Sequence, residues 1–207
     1  MRRWALVALL GAAIAGIAIG VAVHGRDGGT AAAGTPALPT LHGQATWSAH
    51  ARPAPLFTLH DQRGRLVSLR SLRGRTVVLM FEDSLCKQAC PIEGRMTAAA
   101  IKLVPRAMRP RVVIVSVDPA GDTPKTITTA LAKWTLPESA SWLLGKHAQL
   151  RPVWRSYQVT VLPVKGDIVH STVLYLIDRH GDERAAFLLP FVPALVADDL
   201  RVLGRET

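Results

Sequence analysis

The sequence has few aromatic residues, and this shortage argues against nucleic acid as the partner of its strong positive charge. Phe, Trp and Tyr make up 5% of the 207 residues, whereas 25 basic residues outnumber 15 acidic ones and give a net charge of +10. Nucleic-acid binding by base stacking needs aromatic side chains interleaved with the basic ones, and here the basic residues are scattered without them. We therefore expect no nucleic-acid partner and interpret the charge as a solvated surface attracted to anionic lipid or to an acidic partner.

Cysteine is also scarce, because the chain has only Cys86 and Cys90. Both follow shortly after the apolar run Val77–Phe81, which is too short for a membrane span and is typical of a strand buried on both faces. A structural disulfide would be an ordinary use of the pair in an exported domain, but a bridge across so short a loop gives little entropic stabilisation. Since open α/β sheets place their chemistry beyond the carboxyl ends of strands, the position favours a chemical role.

The spacing of the two cysteines is compatible with metal binding and with redox chemistry. A helix that begins near Cys86 would place both thiols on one face, with Cβ atoms about 5–6 Å apart. The two sulfurs could then bind one ion or, with a small adjustment, each other. A helix N-terminus and Lys87 lower the pKa of a nearby thiol, whereas Glu82 and Asp83 raise it.

The N-terminal segment Trp4–Val23 contains no charged residue. As a helix, twenty residues that rise 1.5 Å each would span about 30 Å, the thickness of the hydrocarbon core of a bilayer. We therefore predict a transmembrane anchor at residues 1–23, with a cleaved secretory signal as the alternative. Arg2 and Arg3 would hold the N-terminus in the cytoplasm, so the bulk of the chain is expected to be exported, on the periplasmic side of the inner membrane in a bacterium.

Two further regions follow. Residues 24–53 are rich in Gly, Ala, Thr and Pro without sustained periodicity, which predicts a flexible linker. Residues 54–207 are predicted to form one α/β domain that opens with a β-hairpin around the turn Asp61–Gly64. We place its buried strands at Thr76–Phe81, Arg111–Val117 and Thr172–Ile177, and its helices after the cysteines, after Thr123, at Ala148–Tyr157 and near the C-terminus. This order, with a thiol pair after the first long strand, predicts a thioredoxin-like mixed sheet flanked by helices.

Several separated motifs together resemble the Sco/SenC family. They are Cys86-x-x-x-Cys90-Pro91 after the apolar strand, Val115–Pro119 followed by Asp122-Thr123-Pro124, and Val169-His170-Ser171 before Leu174–Asp178. With the preceding hairpin, they run in the family's order and spacing over about residues 57–181. The chain departs from the family between its cysteines, where Lys87-Gln88-Ala89 replaces the common Pro-Asp-x and the usual acidic residue is absent.

The resemblance implies a membrane-tethered, thioredoxin-like protein that binds copper and helps to build the dinuclear copper centre of cytochrome c oxidase. Its partner would be the copper-accepting subunit of that oxidase, and Cys86, Cys90 and His170 would be the copper ligands. Asp118, which matches a family motif, is interpreted as structural or as a support for the ligands. Some members of the family are also proposed to reduce disulfides, which would add a thiol-redox partner.

The chemistry of this donor set agrees with copper. Two thiolates and one imidazole are soft ligands that suit copper both as Cu(I) and as Cu(II). Zinc could use the same donors, but a structural zinc site normally has four protein ligands and the sequence shows no fourth. His170 lies eighty residues after Cys90, so only the fold can bring the two together, and we expect His170 in a loop beside the thiol helix.

Two enzymatic alternatives to a metallochaperone remain. In a thiol–disulfide oxidoreductase acting on an exported partner, one of Cys86 and Cys90 would attack and the other would resolve, although the usual redox motif has two residues between its cysteines. A thiol peroxidase would need a threonine or an arginine that activates one thiol, and Thr97 and Arg95 are poor candidates. The favoured hypothesis is the metallochaperone, which performs no catalytic turnover.

Overall fold

The computed structural model describes residues 40–206. The predicted anchor at residues 1–23 and the first part of the predicted linker lie outside this range. Within it, no helix is both long enough and apolar enough to cross a membrane.

The described chain forms a large mixed sheet, a small two-stranded sheet and four α-helices. The strands are β1 (Ala45–Thr46), β2 (Thr58–Asp61), β3 (Leu66–Ser68), β4 (Val77–Glu82), β5 (Arg111–Ser116), β6 (Ser141–Leu144), β7 (Val161–Val164), β8 (Asp167–His170), β9 (Val173–Ile177) and β10 (Glu183–Leu188). The helices are α1 (Ala89–Lys102), α2 (Pro124–Lys133), α3 (His147–Ser156) and α4 (Pro193–Arg205), and short 3₁₀ helices occur at Leu69–Leu72 and Arg106–Met108. The large sheet has the order β1-β10-β9-β4-β5-β6-β2-β3, and β7 pairs only with β8.

The central strands are those that the apolar runs predicted. β4 and β5 pair in parallel, with Val77 opposite Arg111 and Glu82 opposite Ser116, and β9 lies antiparallel on the other side of β4. Every residue of β4 is buried, because α1, α2 and α4 pack on one face of the sheet and α3 packs on the other. The predicted mixed sheet with helices on both faces is confirmed.

The N-terminal hairpin β2–β3 also occurs where the turn residues predicted it. The Asp61 carboxylate accepts hydrogen bonds from the backbone N–H groups of Arg63 and Arg65, each at 2.9 Å. Gly64 has a φ of +75°, a conformation that glycine adopts without strain. β2 pairs with β6 as well, so the hairpin extends the main sheet at one edge.

Residues 40–53, which fall within the predicted linker, pack along the opposite edge of the sheet. β1 pairs antiparallel with β10. His42 Nδ1 lies 2.6 Å from the buried carboxylate of Asp199, and Arg52 forms an ion pair with the buried Glu183. Here the structure differs from the flexible segment that we predicted. The difference arises because a two-residue strand and a few polar contacts leave no apolar periodicity in the sequence.

The small sheet β7–β8 is an element that we did not predict. Val161 pairs with His170 and Val164 pairs with Asp167, around a turn at Gly166 whose φ is +77°. Most of the hairpin is exposed, so it lacks the apolar signal of the central strands. His170 is therefore the last residue of a strand, and not part of a loop as expected, and the chain passes from it almost directly into the buried β9.

Candidate metal centre

The candidate site lies beyond the carboxyl end of β4, in the turn that leads to α1. Because α1 begins at Ala89, Cys86 lies in this turn and Cys90 lies in the first helical turn. The helix therefore starts between the two cysteines, later than the start near Cys86 that would place both thiols on one helix face. The two cysteines nevertheless meet, since the backbone N–H of Cys90 donates to the Cys86 sulfur at an N–S distance of 3.4 Å. Asp83 stabilises the turn by accepting the N–H of Leu85 at 2.7 Å.

The β7–β8 hairpin carries His170 to the cysteines. The Nε2 atom of His170 lies 3.3 Å from the sulfur of Cys90. Its Nδ1 atom lies 3.0 Å from the backbone carbonyl oxygen of Ser171. A carbonyl oxygen can only accept, so Nδ1 carries a proton, and Nε2 is the ring nitrogen that faces the sulfur. A metal-binding histidine uses this arrangement, in which Nε2 is the ligand atom and a backbone acceptor holds the other nitrogen.

The segment between β5 and α2 supports the turn before α1. The Asp122 carboxylate accepts the backbone N–H of Ser84 and the Nε1–H of Trp142, both at 2.9 Å, and so ties this turn to the core. The Asp118 carboxylate accepts the N–H of Ala120 at 3.1 Å, which stabilises the turn that precedes α2. The geometry of Asp118 therefore fits the structural role that we assigned to it.

The two thiols have very different pKa values. A hydrogen bond from the Cys90 thiol, together with the backbone N–H groups of Cys90 and Gln88 and the neighbouring His170, lowers the pKa of Cys86 to about 5 against the opposing effect of burial. The same hydrogen bond, followed by burial and the charge of Glu82, raises the pKa of Cys90. At neutral pH, Cys86 is therefore the thiolate and Cys90 retains its proton.

A cleft of about 400 Å³ opens beside the cysteines, between residues 85–89 on one side and residues 166–170 on the other. Cys86 is partly exposed in this cleft, whereas Cys90 is buried behind it. An ion or a sulfur that approaches from solvent therefore meets Cys86 first.

Glu82 is a member of the site that the sequence did not identify as one. It is the last residue of β4 and is fully buried, and no nitrogen or oxygen donor of residues 40–206 reaches either carboxylate oxygen. The Cys90 thiol is the neighbouring donor, and it partly offsets the rise in the pKa of Glu82. One of its oxygens, the Cys90 sulfur and a ring nitrogen of His170 all lie within 4.8 Å of one another. Burial and then the charge of Glu93 raise the pKa of Glu82 well above its usual value. The available signal was an acidic residue at the end of an otherwise wholly apolar strand.

These features define a class of protein, a thioredoxin-like domain in which two cysteines at the start of a helix face a histidine brought from a separate hairpin. The family model described as SCO1/SenC matches residues 46–202, and the chain belongs to this family. The resemblance that the separated motifs indicated is confirmed.

Known proteins similar to this chain agree with that assignment. Protein SenC of Rhodobacter capsulatus is 31% identical over 161 residues, which cover 75% of this chain and 72% of the relative. The structure of Bradyrhizobium japonicum ScoI with copper bound has a TM-score of 0.61 at 29% identity and covers 73% of this chain and 99% of that one. BsSco, a member of the Sco family of cytochrome c oxidase assembly proteins in which a disulfide switch was identified, shares the fold with a TM-score of 0.64 at 22% identity, over 79% of this chain and 100% of that one. The predicted thioredoxin-like fold is confirmed.

Proposed function

We propose that this chain is a membrane-tethered copper metallochaperone that binds copper through Cys86, Cys90 and His170 and delivers it during assembly of the copper centre of cytochrome c oxidase. The observation that carries the proposal is the distance of 3.3 Å between Cys90 Sγ and His170 Nε2, beside the Cys86 sulfur. Two sulfurs and one imidazole at the mouth of a cleft form a soft donor set suited to copper in both of its biological oxidation states.

Similar proteins support copper as the ion. ScoI of Bradyrhizobium japonicum holds copper in its solved structure, and this chain resembles it over most of the described fold. BsSco is a member of a family of cytochrome c oxidase assembly proteins. We extend both properties to this chain, with the copper-accepting subunit of the oxidase as its partner.

The two sulfurs take different parts in capture and release. Cys86 is charged and partly exposed, so it attracts a cation that enters the cleft. Cys90 is buried and protonated, so its thiol must lose a proton before its sulfur can bind the ion. An acceptor protein that offers its own sulfur ligands meets Cys86 first, and ligand exchange would therefore begin at that residue.

A membrane anchor would keep the site close to an oxidase in the same membrane. Support comes from the uncharged segment Trp4–Val23 behind Arg2 and Arg3, which favours export of everything that follows. The net charge of +10 is compatible with a domain that stays near an anionic lipid surface.

A thiol–disulfide oxidoreductase is the second candidate, and the inequality of the thiols favours it. A partly exposed cysteine with a pKa of about 5 suits the attacking role, and a buried, protonated cysteine four residues later suits the resolving role. The cysteines would then reduce the disulfide of an exported partner, and His170 would be dispensable.

Copper titration of the metal-free chain tests the proposal. His170→Ala should lose Cu(II) binding, because the imidazole is the nitrogen donor, and should keep Cu(I) binding, because two thiolates satisfy that ion. His60, exposed on β2 outside the site, provides the control, and His60→Ala should match the wild type. Unchanged Cu(II) affinity and spectra in His170→Ala would remove the histidine from the site.

The same variants separate the two candidate functions. If the chain is a disulfide reductase, His170→Ala should still reduce a partner disulfide, whereas Cys86→Ser should not. If the chain is a metallochaperone, transfer of Cu(II) to the soluble copper-binding domain of the oxidase subunit should fail in both variants, whereas transfer of Cu(I) should fail in Cys86→Ser and persist in His170→Ala. A wild-type chain that binds neither Cu(I) nor Cu(II) would refute the metallochaperone.

A further inference from the structure

We propose that Glu82 is an additional oxygen ligand that completes the site for Cu(II) and is left out for Cu(I). The inference rests on the proposed copper site and adds to it a residue that the cysteine and histidine motifs do not contain. It starts from a buried carboxylate group at the end of β4 that no nitrogen or oxygen donor of residues 40–206 reaches, and toward which the Cys90 thiol, itself a proposed ligand, is the neighbouring donor. Such a group is costly to bury unless something compensates for its lost hydration.

The position of Glu82 matches that of a ligand. A carboxylate oxygen of Glu82, the Cys90 sulfur and a ring nitrogen of His170 lie within 4.8 Å of one another. Metal–ligand bonds of about 2.0–2.3 Å place two ligands of one ion at most about twice that distance apart. The bound of 4.8 Å exceeds this span by less than about 1 Å, so a small side-chain adjustment lets a single ion bridge the three atoms. Cys86 adjoins this set through Cys90, whose backbone N–H its sulfur accepts.

The other acidic groups around the turn are occupied or lie outside this set. Asp83 accepts the backbone N–H of Leu85, and Asp122 accepts two donors. Glu93, on the first turns of α1, is also buried without a hydrogen-bond partner in the described chain, but it does not belong to the converging set. Glu82 is thus the carboxylate that is both unpartnered and positioned at the sulfur and the imidazole.

The oxidation state of copper decides whether the carboxylate binds. Cu(I) is a soft ion that two thiolates satisfy, whereas Cu(II) favours four ligands and accepts nitrogen and oxygen donors. With two thiolates and one carboxylate, a Cu(II) complex retains one net negative charge and a Cu(I) complex retains two. The second charge would be costly at a buried position. Glu82 should therefore strengthen Cu(II) binding selectively.

The test compares Glu82→Gln with the wild-type chain, with Glu93→Gln as the matched control. Affinities for Cu(I) and Cu(II) are measured by competition with chelators, and the Cu(II) complexes are compared by electron paramagnetic resonance. We expect Glu82→Gln to weaken Cu(II) binding at least tenfold, to change the copper hyperfine coupling and to leave Cu(I) affinity unchanged. Glu93→Gln should leave the spectrum unchanged and should weaken neither affinity, because Glu93 is not a ligand and its charge only raises the pKa of Glu82. Zn(II), which accepts the same four donors, should also bind more weakly to Glu82→Gln.

The outcomes distinguish this inference from the proposed function. If wild-type protein binds both copper ions and folded Glu82→Gln has an unchanged Cu(II) affinity and spectrum, Glu82 is not a ligand and the copper site stands. If the wild type binds no copper, the proposed function fails. Glu82→Asp, which retracts the carboxylate by one methylene group, must also change the spectrum. Should neither variant fold, X-ray absorption of the wild-type Cu(II) complex decides, because a shell of two sulfurs and a single nitrogen or oxygen scatterer would overturn the assignment.

Discussion

Replacing Cys90 with alanine should raise the pKa of Cys86. In the wild-type protein this pKa is lowered to about 5, and the hydrogen bond from the Cys90 thiol is the largest cause. A hydrogen bond to a charged group contributes about 1.5–3 kcal/mol, and one pKa unit corresponds to about 1.4 kcal/mol. Because Cys86 is partly exposed, the lower end of this range applies, and the pKa should rise by about one unit. The backbone donors and His170 remain, so the pKa should stay below the usual thiol value of about 8.5.

The rate of alkylation by iodoacetamide, measured across pH on metal-free protein, reports this pKa. The midpoint of the pH profile is the appropriate quantity, because a higher pKa reduces the thiolate fraction and at the same time makes each thiolate more reactive. His170→Ala should move the midpoint less than Cys90→Ala, since the histidine makes a smaller contribution than the thiol. Cys86→Ser should abolish the phase near pH 5. A Cys90→Ala midpoint equal to that of the wild type would refute the hydrogen bond as the main cause.

Two further predictions concern stability. Arg52→Ala should lower the free energy of unfolding in urea by about 3 kcal/mol, because Glu183 would stay buried without its ion-pair partner. Arg201→Ala, which breaks the more exposed pair with Asp198, should cost less than about 1 kcal/mol, and equal losses would contradict the argument. Burial raises the pKa of Glu93 to about 8, whereas in the unfolded chain the group should titrate near about 4.3. As the pH rises between these values, the unfolded chain has lost this proton while the folded protein still holds it. The free energy of unfolding of metal-free wild-type protein therefore falls across this range. Glu93→Gln should melt progressively higher than the wild type across this range, and a difference in melting temperature that does not change with pH would count against a buried, protonated Glu93.

The parts of the fold that were predictable are those in which burial leaves a pattern in the sequence. Val77–Phe81 is a continuous apolar run and Arg111–Val117 is largely apolar, because helices cover both faces of the sheet. Both form buried strands as expected, and the structure pairs them in parallel. β1 and the β7–β8 hairpin left no such pattern, since one is two residues long and the other is largely exposed. These elements are held by backbone hydrogen bonds, which form with almost any side chain. The sequence therefore carries no signal that predicts them.

The sequence motifs pointed to the cysteines and the histidine of the candidate site, but nothing in the sequence identified the buried carboxylate beside them. Cys86, Cys90 and His170 come together at one end of the sheet because the cysteines follow β4 and the histidine precedes its neighbour β9. Glu82 was interpreted from sequence only as a negative charge beside the thiols, because acidic residues at strand ends are usually solvated. Only the fold shows that the Glu82 side chain is buried beside Cys90 and His170. The sequence therefore offered no fourth donor, and its absence was the argument against zinc.

The β7–β8 hairpin pairs separately from the large sheet, and this has a consequence for how a bound ion would be released. The cysteines lie in the connection from β4 to α1, which belongs to the main fold, whereas His170 lies on the β7–β8 hairpin. This hairpin forms no strand pairing with the large sheet. A movement of the β7–β8 hairpin would withdraw the Nε2 atom of His170 and leave both cysteine sulfurs in place. The hydrogen bonds between the central strands would stay intact. Withdrawal of the imidazole and ligand exchange at Cys86 would then be separate events, and neither would require the large sheet to rearrange.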